Sequence, residues 1–242
     1  MRELNNVPKT KTIKLGDTIY LLSSVGGPSA QGDTWDLFST IPRRVLESLM
    51  LGTVAFDCSR TQNPLTGLQE DGPGVYVLGL SIAGRHGQFL NAMEMTVLVH
   101  NLELYMQGCK VLLDPLHVVT AANQAAVGFM SLVDSAYGTA MPGAPRFICD
   151  DENQKAAKHL LASFCARRDA MQIADPTETV YAIQSPLYVG CGKDVGKRIA
   201  AYTLSHHKTA LERVNKFFTL TVSLLYRQRL RAEVHIVTAI RT

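Results

Sequence analysis

A glycine-rich segment with basic residues stands near the C-terminal end of the chain. Residues 187–202 read LYVGCGKDVGKRIAAY, and the pattern predicts a strand, a glycine-rich loop and a helix with basic residues at its start. Such a loop could hold a polyphosphate with backbone N–H groups and a lysine. The P-loop pattern GxxxxGK[ST] would require glycine where Cys191 stands and a hydroxyl residue where Arg198 stands. The sequence therefore excludes that particular phosphate loop.

The predicted helix places one arginine where it could reach a phosphate. At about 100° per residue, three apolar side chains share one stripe of this helix, namely Val195, Ile199 and Tyr202. Arg198 lies about 60° from the centre of that stripe, whereas Lys197 lies roughly opposite it. We expect Arg198 to bury its aliphatic stem and to direct a planar guanidinium at a phosphate. Lys197 is expected to be solvated.

Tyr188-Val189-Gly190, with Leu187 before it and Arg198 ten positions after the tyrosine, resembles the YIG half of the GIY-YIG nuclease domain. In that family, a strand ending in Tyr-Ile-Gly leads through a short polar loop into a helix that carries the catalytic arginine. The resemblance implies that Tyr188 and Arg198 are catalytic residues. An unrelated α/β unit with a Tyr-Val-Gly strand end is the alternative.

Two tyrosines could supply the GIY half of the motif. Gly74-Val75-Tyr76 is the better local match, but it requires a helical insertion of about a hundred residues between neighbouring strands. Tyr181 precedes Tyr188 by seven positions, which allows a tight hairpin with both rings near one face. The sequence favours Tyr76 as the catalytic partner and keeps Tyr181 as the alternative.

The resemblance also implies phosphodiester hydrolysis with one divalent cation, Mg²⁺ or Mn²⁺. A tyrosine and a metal-bound water would supply the nucleophile, and the arginine would stabilise the pentacovalent phosphorus. The family's metal ligand is a glutamate on a helix after the third strand, and Glu212 is the weak candidate here. Because Glu212 stands four residues before Lys216, a surface ion pair is the simpler account. We therefore expect either a truncated chain or a fold without the nuclease chemistry.

The charge of the chain is divided unevenly. The net charge is +3, but residues 190–242 contain ten basic and three acidic residues and sum to +7, against −4 for residues 1–189. Basic residues of this tail are candidate nucleic-acid contacts: Lys193, Lys197, Lys208, Arg227, Arg229 and Arg231. If the last three lie in an extended segment, they share one face and could follow a phosphate backbone. An ordinary solvated edge that discourages strand pairing is the alternative.

Composition and periodicity predict an α/β protein with a small mixed or antiparallel sheet flanked by helices and a helical region in the middle. Predicted strands are 10–15, 18–22, 53–58, 75–81, 179–183, 186–190 and 232–240. Predicted helices are 42–50, 88–107, 115–137, 151–171, 194–204 and 209–225. We expect residues 1–175 to form a mixed N-terminal and central region and residues 176–242 to form the GIY-YIG-like segment. One continuous domain that uses the strand at 75–81 is the alternative.

Compartment and partners follow from what the sequence lacks. The five cysteines are widely spaced, without a CxxC pair, which indicates thiols in a reducing compartment. No apolar run is long enough to span a bilayer, and we expect a soluble protein of the cytoplasm or nucleus.

Three functions remain open: a metal-dependent nuclease, a catalytically inactive nucleic-acid binder, and a structural protein that only shares the fold. The last is suggested by the alanine-rich helix around residues 120–133, which could serve a homo-oligomer interface.

Overall fold

The structure is a computed structural model, and it describes residues 43–60, 74–114, 120–135, 144–192, 195 and 216–241. All of them belong to one compact unit, residues 41–242. They form six longer helices and three strands: α1 (Arg43–Leu51), α2 (Val54–Arg60), β1 (Gly74–Ile82), α3 (Ala92–Leu113), α4 (Ala121–Ser135), α5 (Asp151–Ala174), β2 (Leu187–Gly192), α6 (Lys216–Arg227) and β3 (Ala232–Arg241). The protein is thus an α/β protein with a small sheet and a helical region between β1 and β2.

The three described strands form one antiparallel sheet in the order β2-β1-β3. β1 is the central strand, and Val75 to Ile82 are all buried. A short apolar run is expected in a strand that is covered on both faces. The sequence predictions of strands at 75–81 and 232–240 are confirmed.

One face of the sheet meets the main core. Alternate side chains of β1, namely Tyr76, Leu78, Leu80 and Ile82, join a cluster of buried residues from α3, α4, α5 and α6. The largest of them include Tyr105 and Phe164, and Phe89, just before α3, belongs to the same cluster. Burial of this much apolar surface is the main stabilising contribution to the fold.

The other face of the sheet is covered by α2. A Cβ added at Gly79 would lie 2.9 Å from the backbone nitrogen of Ala55, so the helix backbone approaches the strand at this glycine. The sequence predicted a strand at 53–58, and that prediction was wrong. The Asp57 carboxylate accepts hydrogen bonds from the hydroxyls of Thr53 and Ser48, which stabilises a helical turn over an apolar segment.

The start and end of α3 differ from the prediction. Asn91 and Glu94 form a reciprocal capping box, so the helix begins at Ala92 and not at residue 88. It continues through Gly108, which was predicted to end it. A Cβ at Gly108 would lie 2.5 Å from the carbonyl oxygen of Ala126, so this glycine allows α4 to pack closely on α3.

A single helix over 115–137 was predicted, and the described helix of that region, α4, covers Ala121–Ser135. Residues 115–119 and 136–137 lie outside the described residues. The helix predicted at 151–171 is confirmed and extends to Ala174, with Asp150 as its N-cap. The helix predicted at 42–50 is also confirmed, as α1.

A buried polar group joins α3, α4 and the segment before α5. The Tyr105 hydroxyl donates to Asp134 Oδ1 at 2.8 Å, and the Arg146 N–H donates to Asp134 Oδ2 at 3.0 Å. The Phe147 N–H donates to the Tyr105 oxygen at 3.3 Å. Burial raises the pKa of Asp134 above 3.8, because the charged form loses solvation.

The strand predicted at 186–190 is confirmed as β2, but the hairpin that would pair it with a strand at 179–183 is not formed. Residues 179–183 are not part of the described sheet, and Ala182 instead exchanges backbone hydrogen bonds with Phe89 and Leu90. β2 pairs with β1, so the sheet joins residues on both sides of the boundary expected at residue 176. The helix predicted at 209–225 is described only from Lys216, as α6. The segments predicted at 10–15, 18–22 and, apart from Val195, 194–204 lie outside the described residues.

No helix in the described part of the chain is both long enough and apolar enough to cross a bilayer.

Candidate functional site

Tyr76 and Tyr188 lie side by side on the core face of the sheet. β1 and β2 pair antiparallel, with Tyr76 opposite Gly190 and Leu78 opposite Tyr188. Because directly paired residues point to the same face of a sheet, both rings project from the same side. Their centroids are 6.2 Å apart and their planes are tilted by 53°. This contact is an ordinary tilted aromatic pair between neighbouring strands.

Gly190 makes room for the two rings. A Cβ at this position would lie 2.4 Å from Cζ and 2.5 Å from the hydroxyl oxygen of Tyr76, and 2.9 Å from Cε1 of Tyr188. Any larger residue would therefore displace a ring. The packing of the tyrosine pair therefore requires glycine at position 190.

The third ring of the cluster belongs to α6. The Phe218 centroid lies 6.4 Å from that of Tyr188, and Phe218 is buried. Tyr76 is also buried, with only 2% of its surface exposed, whereas Tyr188 is half-buried. Tyr188 is therefore the more exposed residue of the pair.

Tyr181 occupies a different environment. The guanidinium of Arg85 lies over its ring, 4.0 Å from the centroid. Both terminal nitrogens of Arg85 donate to the Glu94 carboxylate at 2.7 Å, and this hydrogen bonding raises the pKa of Arg85 above its usual value. Tyr181 is thus held in a cation–π contact that fixes the loop before α3. The hairpin that would have brought it beside Tyr188 is not formed.

Several predicted site residues lie outside the described residues: Arg198, Lys193, Lys197, Lys208 and Glu212. Of the helix predicted after the glycine loop, the structure describes Val195, which is helical and buried. Burial of Val195 agrees with the apolar stripe that the sequence predicted for this helix.

The three arginines near the end of α6 do not lie in one extended segment. Arg227 is the last residue of the helix, Arg229 is in a turn with φ of 62°, and Arg231 precedes β3. The shared face predicted for an extended segment was therefore wrong, because the helix continues two residues past its predicted end at 225 and includes Arg227. All three remain exposed and can still contact phosphates separately.

The described residues do not provide a metal centre. No group of three His, Cys, Asp or Glu side chains that could hold a metal ion occurs among them. Glu212, the weak candidate, is not among them either. We therefore assign no metal ligand.

A serine and a histidine that the sequence analysis did not pair lie together across β1 and β3. Ser81 Oγ and His235 Nε2 are 2.7 Å apart. This contact comes from the register of β1 against β3, which the spacing of residues within either strand does not indicate. Ser81 is fully buried, so a substrate cannot reach its hydroxyl. The pair stabilises the sheet and is not a catalytic dyad.

Comparison of the chain with protein-family models, with curated proteins and with solved structures found no match.

Proposed function

We propose that this domain binds nucleic acid by its phosphodiester backbone and cleaves it as the GIY-YIG resemblance implies. The observation that carries the proposal is the packing of Tyr188 against Tyr76 across paired strands. If Tyr76 supplies the GIY half of the motif, its strand must lie beside the strand of Tyr188, although a helical insertion separates the two strands in the chain. β1 and β2 are such neighbours, with α3, α4 and α5 between them in the chain.

The exposure of the two rings supports different roles for them. Tyr188 is half-buried and is proposed to contact the substrate through its hydroxyl, by a hydrogen bond to the attacking water. Tyr76 is nearly fully buried and is proposed as a positioning residue that holds the Tyr188 ring. Gly190 is proposed to act with the two tyrosines, because it leaves space for both rings.

Arg198 is proposed to bind the reacting phosphate. A guanidinium presents paired N–H donors to phosphate oxygens and stabilises the charge that develops there. Its position three residues after the buried, helical Val195 supports the predicted place of Arg198 at the edge of the apolar stripe. The exposed arginines at 227, 229 and 231 would contribute further backbone contacts, which carry affinity but no sequence specificity.

The divalent cation that the resemblance implies would neutralise phosphate charge and activate water. Binding of nucleic acid without cleavage is the second candidate, and the exposed arginines at 227, 229 and 231 would support it without a divalent cation. In that case Tyr188 and Arg198 would still contribute to binding, and the divalent cation would be irrelevant.

The decisive test is a nicking assay on labelled duplex DNA, single-stranded DNA and RNA, with Mg²⁺, with Mn²⁺ and with EDTA. We expect metal-dependent cleavage that falls by at least about 100-fold in Arg198→Ala and in Tyr188→Phe. Matched controls are Arg44→Ala and Tyr226→Phe, which change the same residue types at exposed positions outside the tyrosine pair. These should cleave like the wild type.

Binding is measured in parallel, with salt as the variable. Backbone contacts predict an association constant that falls steeply as salt rises, because phosphate neutralisation releases counter-ions. Salt-dependent binding without cleavage would contradict the nuclease proposal and favour the catalytically inactive nucleic-acid binder. If the protein neither binds nor cleaves nucleic acid and forms a defined oligomer in solution, the result would favour the structural protein.

A further inference from the structure

Cys149 is the exposed thiol among the four cysteines whose side chains the structure describes. Cys109 is buried, and Cys58 and Cys165 are half-buried. Burial also raises the pKa of Cys58 to about 11 and that of Cys109 to about 12, so both are poor thiolate sources. Among these four cysteines, an oxidant in solution would therefore meet Cys149 first.

The amine of Lys216 lies beside this thiol. Its Nζ is 3.5 Å from Cys149 Sγ, and the two residues are 67 positions apart in the chain. Cys149 immediately precedes Asp150, the N-cap of α5, and Lys216 is the first described residue of α6. The contact therefore joins the start of α5 to α6, and both side chains are exposed.

The remaining groups around the sulfur are polar and do not shield it. The thiol lies 3.6 Å from Asp150 Oδ2, and the Asn153 amide nitrogen lies 4.0 Å from it. Neither side chain can be oxidised or can resolve an oxidised sulfur as a second thiol would. Lys216 is the nucleophile within reach among the contacts that the structure describes.

We propose that the pair forms a covalent bond between Cys149 Sγ and Lys216 Nζ when the protein meets a peroxide. In the first step, the thiolate attacks a peroxide oxygen and the O–O bond breaks. Sulfur loses two electrons and becomes a sulfenic acid, and hydrogen peroxide is reduced to water with uptake of one proton. In the second step, the neutral amine attacks sulfur, an S–N bond forms, and the hydroxyl leaves with an amine proton as water. This condensation transfers no further electrons.

The short distance makes the second step an intramolecular reaction of groups already in contact. Sulfenic acids are known to condense with nitrogen nucleophiles to sulfenamides, and proximity replaces the entropic cost of bringing the groups together. The product would join the residue before the N-cap of α5 to the first described residue of α6. Thiol reductants would reverse it, since a thiolate can attack the sulfur of the S–N bond.

The test is intact mass spectrometry of the purified chain after titration with hydrogen peroxide, followed by peptide mapping. We expect a loss of about 2 Da that dithiothreitol reverses, and a cross-linked peptide pair containing Cys149 and Lys216. Cys149→Ser and Lys216→Arg should each abolish the cross-link, and Lys216→Arg keeps the positive charge. Lys155→Arg, an exposed lysine on α5, is the matched control and should leave it intact.

Three outcomes would overturn the proposal. A gain of about 16 or 32 Da on Cys149 without a cross-link would mean simple oxidation of an exposed thiol. A loss of about 2 Da that persists in Lys216→Arg would mean a disulfide with another cysteine. An unchanged mass at peroxide excess would mean that the thiol does not react. None of these readouts depends on nuclease activity.

Discussion

The Tyr76 ring lies directly over Gly190 on the neighbouring strand, where a Cβ would approach its Cζ to 2.4 Å. One backbone position on β2 therefore sets the position of a side chain on β1. The Tyr188 ring lies close to the same point, 2.9 Å from the same added Cβ. The tyrosine pair thus depends on a residue that has no side chain.

We predict that Gly190→Ala lowers the free energy of unfolding by about 1–3 kcal/mol, because the added methyl group overpacks a buried ring. The measurement is urea unfolding followed by tyrosine fluorescence and circular dichroism. Gly128→Ala is the control, since a Cβ at that exposed helical position meets nothing within 4 Å. It should stabilise the protein by up to about 1 kcal/mol. Equal effects of the two substitutions would contradict the described ring packing.

The buried Tyr105–Asp134 hydrogen bond is predicted to contribute to the free energy of unfolding. Tyr105→Phe removes the hydroxyl that donates to Asp134 Oδ1. Asp134→Asn replaces one carboxylate oxygen by an NH₂ group, which cannot accept the hydrogen bond that the Tyr105 hydroxyl or the Arg146 N–H now donates. Each substitution should cost about 1–3 kcal/mol, and the double variant should cost less than their sum. Ser135→Ala, an exposed neighbour, should change stability by less than about 0.5 kcal/mol. Additive losses in the double variant would show that the two side chains are not coupled.

His235 predicts a dependence of stability on pH. Burial lowers its pKa below the ordinary value of 6.5, and the nearby Glu233 opposes this only in part. Since the unfolded chain then binds the proton more readily, the contribution of His235 is present above 6.5 and is lost as the pH falls through the folded-state pKa. Protonation also removes the lone pair on Nε2 that can accept from Ser81.

We therefore expect the stability advantage of wild type over His235→Gln to shrink as the pH is lowered from about 8 to about 5. The measurement is urea unfolding of both proteins at each pH, and the difference removes the effects of the other histidines. His86→Gln serves as the control because His86 is exposed, and its difference from wild type should stay constant. A constant difference for His235→Gln as well would show that its ring is not desolvated.

Local signals in the sequence were sufficient for the elements that depend on local chemistry. The apolar run of β1 and the start of α5 at Asp151 were predicted, because burial and helix initiation depend on a few adjacent residues. The segment at 53–58 was predicted wrongly as a strand. It is apolar enough for either element, and the Asp57 contacts with Thr53 and Ser48 decide in favour of a helix.

The sequence by itself determined the α/β class and the strand at 75–81, and it predicted the Tyr-Val-Gly segment as a candidate for phosphate chemistry. Only the tertiary structure decided which tyrosine lies beside Tyr188, because that depends on the pairing of β1 with β2 across three intervening helices. It likewise placed Tyr181 under Arg85 and Gly108 against α4. Strand pairing and helix packing between distant segments are determined by the burial of shared surfaces, and no spacing within either segment records which partner it will meet.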